Sequence, residues 1–148
     1  MSDLSLLITE TALGLQQISQ QQRPLLLQTS DWQSKYRTLM QLGKAVPAFT
    51  AELQRDEILI AGCESKAWLL HEFHGATGRH YWAFDSEARI IKGLVLLTLS
   101  QLNGLTKAEL AKIDVARLVA VPGVQQNLSP SRQNGLHAVL KKLQQQIA

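Results

Sequence analysis

Two runs dense in aromatic and aliphatic residues, Lys66–His74 and Arg79–Phe84, are joined only by Gly75-Ala76-Thr77-Gly78. So short a connection leaves the runs little choice but to pair antiparallel as a β-hairpin. Pairing across it sets His74 opposite Arg79 and Phe73 opposite His80. Alternation along each strand then places His71 and His80 on one face and His74 on the other. Asp85-Ser86 follows at once and predicts the cap of a helix from about Glu87 to Asn103. Ile90, Ile91, Leu94, Val95, Leu97, Leu99 and Leu102 surround much of that helix, so it is expected to be the buried central one. Gly104 is its expected C′ residue.

The flanking segments read as further helices. Residues 1–28 suggest an amphipathic helix through Leu4, Leu7, Ile8, Leu15 and Ile18, polar in its glutamines and ended by Arg23-Pro24. Ser30 with Gln33 predicts a capping box for a second helix carrying Trp32, Tyr36, Leu39 and Met40 on one face, stopped between Gly43 and Pro47. From Ile58 the pattern turns to β. Thr106 with Glu109 predicts another capping box, and Pro122-Gly123 breaks the chain again. Ser129 as cap and Pro130 at the first position open the last helix, with Leu136, Val139, Leu140, Leu143 and Ile147 as its apolar stripe. Helices around one small antiparallel sheet make this an α+β chain, expected to form a single domain over 1–148.

The charges narrow the class of partner. The 15 basic and 12 acidic residues are scattered, with Lys141-Lys142 the densest basic spot, so a nucleic-acid stripe is not expected. The longest apolar stretch, around Gly93–Leu99, falls well short of the ~20 residues that cross a bilayer. The first residues lack a basic-then-apolar leader pattern, and cysteine is rare, so a cytoplasmic setting is expected.

Chemistry concentrates on the single cysteine, Cys63, in the frame Gly62-Cys63-Glu64-Ser65. One cysteine closes no internal disulfide and supplies too few thiolates for a structural zinc site or an iron-sulfur cluster. It can act as a nucleophile or acceptor, or sit inert in a core. Its setting between Ile58-Leu59-Ile60 and Ala67-Trp68-Leu69-Leu70 reads as a loop, and the neighbouring charges of Glu64 and Lys66 argue against the inert role. An ordinary thiol is only about 3% ionised at pH 7. Glu64 is expected to reduce that fraction, and Lys66 or a returning Arg132 to raise it. No histidine neighbours Cys63 in sequence. A cysteine-nucleophile enzyme, a hydrolase or thiol transferase, would need His137 or His71 brought to the thiol by the fold. The three hairpin histidines split between faces, so no metal is expected, and Trp68, Tyr81, Trp82 and Phe84 read as sheet core rather than a base-stacking platform.

An ordered series of short motifs resembles the SufE family of sulfur-acceptor proteins, most closely its CsdE-like branch. The series runs from Asp31-Trp32, Lys35-Tyr36 and Leu42-Gly43-Lys44 through Gly62-Cys63-Glu64-Ser65-Lys66-Ala67-Trp68 and Asp85-Ser86-Glu87-Ala88 into Ile91-Lys92-Gly93-Leu94. It closes with Asn103-Gly104 and Leu128-Ser129-Pro130-Ser131-Arg132-Gln133-Asn134-Gly135-Leu136. The likeness covers a core of residues 30–146 and leaves 1–28 poorly matched; Phe84 stands where the family often has glycine. The resemblance implies helices on one side of a three-stranded antiparallel sheet, a fold akin to IscU-type scaffolds. It implies that Cys63 accepts persulfide sulfur from a pyridoxal-phosphate cysteine desulfurase of the CsdA or SufS kind. It implies too that the chain stimulates the desulfurase and passes the sulfur to a downstream recipient in iron-sulfur cluster assembly or a related pathway. On this reading Glu64, Lys66 and Arg132 are candidates for docking the partner, and the protein is a transfer partner with no cofactor of its own rather than a free-standing enzyme.

Overall fold

The computed structural model describes residues 26, 31–46, 48–61, 65–119, 121 and 123–147. Within them an α1 helix, Trp32–Ala45, leads through a 3-10 turn at Asp56–Ile58 to strands β1, Ala67–His74, and β2, Arg79–Ser86. Then come α2, Arg89–Leu102, the short β3, Leu105–Thr106, two short helices α3, Lys107–Leu110, and α4, Val115–Val119, and finally α5, Pro130–Ile147. The sheet is antiparallel in the order β1-β2-β3. The architecture is therefore α+β, as the pattern of the sequence predicts. The predicted N-terminal helix over 1–28, apart from the buried Leu26, lies outside the described residues.

The hairpin has the register read from the sequence, His74 opposite Arg79 and Phe73 opposite His80. Gly78 takes a positive φ of 70° that an L side chain would resist, and its N–H donates to the His74 carbonyl at 2.8 Å. One face of the hairpin carries Ala67, Leu69, Trp82 and Phe84 into the main core beneath the helices. Phe84 is 1% exposed there, and β2 runs on through Ser86. The other face is covered by chain rather than helix: Leu70 and Ala83 pack with Phe49, Ile58 and Tyr81. The strand pattern expected from Ile58 is reduced to one bridge, Leu59 to Trp68, because Ile58 closes the 3-10 turn.

Helix α2 is the central helix that its all-round apolar sequence predicts, with even Thr98 and Ser100 buried and bonded back to the carbonyls of Leu94 and Leu97. It begins later than expected. Asp85 and Ser86 stay in the strand: the Asp85 carboxylate accepts from the N–H groups of Phe49 and Ser86, and the Ser86 hydroxyl accepts from Ala88 N–H. Lys92 Nζ lies 3.1 Å from the same carboxylate and donates to the Val46 carbonyl at 2.6 Å. This buried pair, each side chain 6% exposed, ties the chain after α1 to the β2–α2 junction. At the other end of α2, Gly104 holds a φ of 85° as predicted. The α1 cap is Asp31 rather than Ser30, its carboxylate accepting from Gln33 N–H and the Ser34 hydroxyl; Ser30 itself lies outside the described residues. The capping box of Thr106 and Glu109 forms as its spacing predicts.

Asn103, 3% exposed, extends the sheet with a side chain. Its Oδ1 accepts from Trp82 N–H at 2.6 Å and its Nδ2 donates to the Trp82 carbonyl at 3.1 Å. The amide thus pairs a backbone position that β3 is too short to reach.

Candidate functional site

The loop carrying Cys63 is closed at its base. Leu59 bridges Trp68, and Ile60 N–H donates to the Ala67 carbonyl at 2.8 Å, so residues 61–66 span the end of a short hairpin. Gly62, Cys63 and Glu64, in its middle, lie outside the described residues. Ala61 on one side is exposed, and Ser65 on the other is half-buried.

The far end of the loop is held at two points. Lys66 N–H donates to Glu87 Oε1 at 2.7 Å, and Glu87 N–H returns to the Lys66 carbonyl at 2.9 Å. This reciprocal pair joins the loop to the β2–α2 turn. The second point is Arg132, whose Nη1 donates to Ser65 Oγ at 2.9 Å. Arg132 is aimed there by the start of α5, where Ser129 Oγ accepts the Arg132 N–H at 3.2 Å and so caps the helix. Ser65, Arg132, Ala67, Ile91 and Gly135 line a small hollow under the loop end. Lys66 and Arg132 therefore both reach the loop but part there. The Arg132 side chain turns into the hollow, and Lys66 borders a separate cleft with Glu87 and Arg89.

Of the two histidines that could serve an enzyme, His71 is engaged within the sheet and His137 stands beside the base of the loop. His71 Nε2 lies 2.9 Å from His80 Nδ1, and the His71 ring stacks on Trp82 with centroids 4.8 Å apart. Burial, reinforced by its histidine neighbour, holds the His71 pKa below the usual imidazole range; burial, with Lys107 nearby, does the same to His80. His137 is exposed on α5 and borders a groove whose other wall includes Leu59 and Ala61. Among the described residues no three His, Asp or Glu side chains gather in a way that could hold a metal ion. No helix among them is long and apolar enough to cross a membrane.

Sequence reasoning singled out Lys66 and Arg132 as docking candidates, and it missed Glu87 as a loop anchor and Lys92 as the partner of Asp85. Glu87 reads locally as a first-turn helix acid, and nothing local announces a partner 21 residues away.

Comparison with known proteins decides the family. The family model described as "SufE: Fe-S metabolism associated domain" matches residues 20–147. This chain belongs to the SufE family. It is 38% identical over 110 residues to the sulfur acceptor protein CsdE of Escherichia coli, covering 74% of each chain. It is 33% identical over 118 residues to an uncharacterized SufE-like protein of Rhizobium etli, covering 78% of this chain and 80% of that one. In fold it is similar to the solution structure of a hypothetical protein from Thermus thermophilus, with a TM-score of 0.62 at 18% identity, covering 88% of this chain and 93% of that one. The SufE match and the two relatives bear out the resemblance read from the motifs around Cys63, Asp85 and Arg132.

Proposed function

We propose that this SufE-family chain is a sulfur acceptor. Cys63 takes sulfane sulfur from the persulfide of a cysteine desulfurase, holds it as its own persulfide and passes it to a second acceptor. In the step itself the Cys63 thiolate attacks the outer sulfur of the donor persulfide. A new S–S bond forms, the donor's S–S bond breaks, and the donor cysteine leaves as a thiolate, so no external oxidant or reductant is consumed. Stimulation of the desulfurase and delivery into iron-sulfur assembly belong to the same proposal.

The observation that carries this reading is the chain's only cysteine, in a loop closed by Ile60 and Ala67, within a family that includes the sulfur acceptor CsdE. The loop anchors fit a holder of labile sulfur. Arg132 brings a fixed cation to Ser65, two residues beyond Cys63, and a cation there favours thiolate over thiol. His71, engaged by His80 and Trp82, is unsuited to act as a base for a cysteine hydrolase.

The deciding experiment incubates the protein with a purified cysteine desulfurase and free cysteine, then weighs the intact chain. A gain of one sulfur atom that Cys63→Ser abolishes is the expected result. A serine variant that still gains sulfur, or still fully stimulates the desulfurase, removes Cys63 as the acceptor.

A further inference from the structure

Lys44, Trp68 and Glu87 belong to the motifs of the family resemblance, yet sulfur transfer at Cys63 makes no direct use of them. The fold brings them to one cleft of about 420 Å³ where the end of α1 and the start of α2 meet β1 and β2. Trp68, 6% exposed, forms part of its floor beside the Asp85–Lys92 pair, which neutralises itself. Around the rim stand three exposed cations from three different elements: Lys44 in the last turn of α1, Lys66 in the loop and Arg89 in the first turn of α2. Among the described residues none of these three makes a side-chain ion pair or hydrogen bond. Glu87, the exposed carboxylate of the rim, is already engaged by Lys66 N–H.

We propose that this cleft receives a carboxylate-bearing segment of the protein that delivers sulfur. The proposal rests on the acceptor reading and names where the donor is gripped. Charge decides the sign of the occupant: three cations, unpaired among the described residues, against the single negative charge of Glu87 favour an anion. The cleft decides its size, because about 420 Å³ is far more than a small inorganic anion fills, whereas a peptide segment spans it between cations set on three elements. Position decides which protein it is. Lys66 lies three residues beyond Cys63, a span of at most about 11 Å of chain, so a donor placing its sulfur on Cys63 covers the cleft. Rim charges of this kind steer encounter and fix orientation rather than supply most of the affinity.

The test compares Lys44→Glu/Arg89→Glu with a Lys112→Glu/Arg117→Glu control, which makes the same change in net charge at exposed positions that line neither the cleft nor the groove beside Ala61. Each full-length protein is titrated against a CsdA-type desulfurase with free cysteine, and sulfur on Cys63 is read by intact mass. The cleft variant is expected to need roughly ten times more protein for half-saturation, with its maximal rate kept and its salt dependence flattened. The control is expected to change little. Lys44→Gln/Arg89→Gln, which only neutralises the rim, should shift in the same direction by less, and circular dichroism melts confirm that each variant folds. Unchanged half-saturation in both cleft variants, or an equal shift in the control, overturns the proposal while wild-type sulfur uptake leaves the acceptor reading standing. Stoichiometric binding of inorganic phosphate that the cleft variant loses, with unchanged half-saturation, assigns the cleft to a small anion and also overturns it. A wild-type protein that gains no sulfur removes the acceptor reading and the cleft proposal together.

Discussion

Arg132 and Ser65, 67 positions apart in the chain, meet in a single hydrogen bond of 2.9 Å that fastens the cysteine loop to the start of α5. One bond between two half-buried side chains is screened by solvent and adds little to global stability, so it matters chiefly for where the loop end sits. Ser65→Ala removes the acceptor. Arg132→Lys keeps the charge but loses the planar fork that reaches the hydroxyl. Both variants are expected to leave the melting temperature nearly unchanged and to speed hydrogen exchange at the Lys66 amide, the next anchor along the loop. Wild-type protection of that amide in both variants would discard the anchor.

Helices α1 and α2 cross where each has a glycine. A Cβ on Gly93 would collide with the Leu39 carbonyl oxygen, and one on Gly43 would stand 2.7 Å from that of Arg89. Backbone atoms cannot swing aside as a side-chain tip can, so Gly93→Ala forces the helices apart. The expected cost is about 1–3 kcal/mol of stability, read by chemical denaturation, with Gly43→Ala the milder of the two. A Gly93→Ala protein as stable as wild type would mean the crossing is looser than this geometry.

The Asn103 amide accepts the Trp82 N–H and also bonds its carbonyl. Asn103→Ala strands two buried backbone groups, each costing about 1–3 kcal/mol when left unpaired. The expected signature is a clear loss of stability with fast exchange of the Trp82 amide. Asn103→Asp, which can accept but not donate, should fall between the two proteins. An Asn103→Ala protein with wild-type stability and wild-type Trp82 exchange would show that the amide is dispensable to the sheet.

What the sequence disclosed was local. The hairpin register followed from one short connection and a two-residue period. The Thr106–Glu109 box, the Gly104 terminus and the Ser129–Pro130 start followed from residues within four positions of one another. The misreadings have two causes. Asp85-Ser86 looks like a helix cap, but the Asp85 carboxylate is claimed by Phe49, 36 positions earlier, and by Lys92, which leaves both residues in the strand. Ser30 and Asp31 are both good caps, and propensity alone does not choose between them. At the site, Arg132 was legible through its motif, whereas Glu87 gains its role only once the β2–α2 turn meets the loop.

The neighbouring imidazoles of His71 and His80 make stability depend on pH in a definite direction. Their nitrogens, 2.9 Å apart, need one donor and one acceptor, which two neutral rings supply and two charged rings cannot. Burial holds both pKa values below the ordinary 6.5 in the folded chain. Below about pH 6.5 the unfolded chain therefore binds more protons than the folded one, and stability falls as the pH drops through that window toward the depressed folded values. Above it the contribution is fully present. The exposed carboxylates Asp31 and Glu109, whose pKa values are lowered by their own cap hydrogen bonds, lose their contribution only at more acid pH. Melting temperatures measured between about pH 7.5 and 5.5, a range that brackets the ordinary imidazole value, should decline in the wild type. They should decline less in His80→Gln, which keeps a hydrogen-bonding side chain but cannot titrate. A flat wild-type profile over that range, or a His80→Gln protein with the full wild-type slope, removes the pair as the source of the effect.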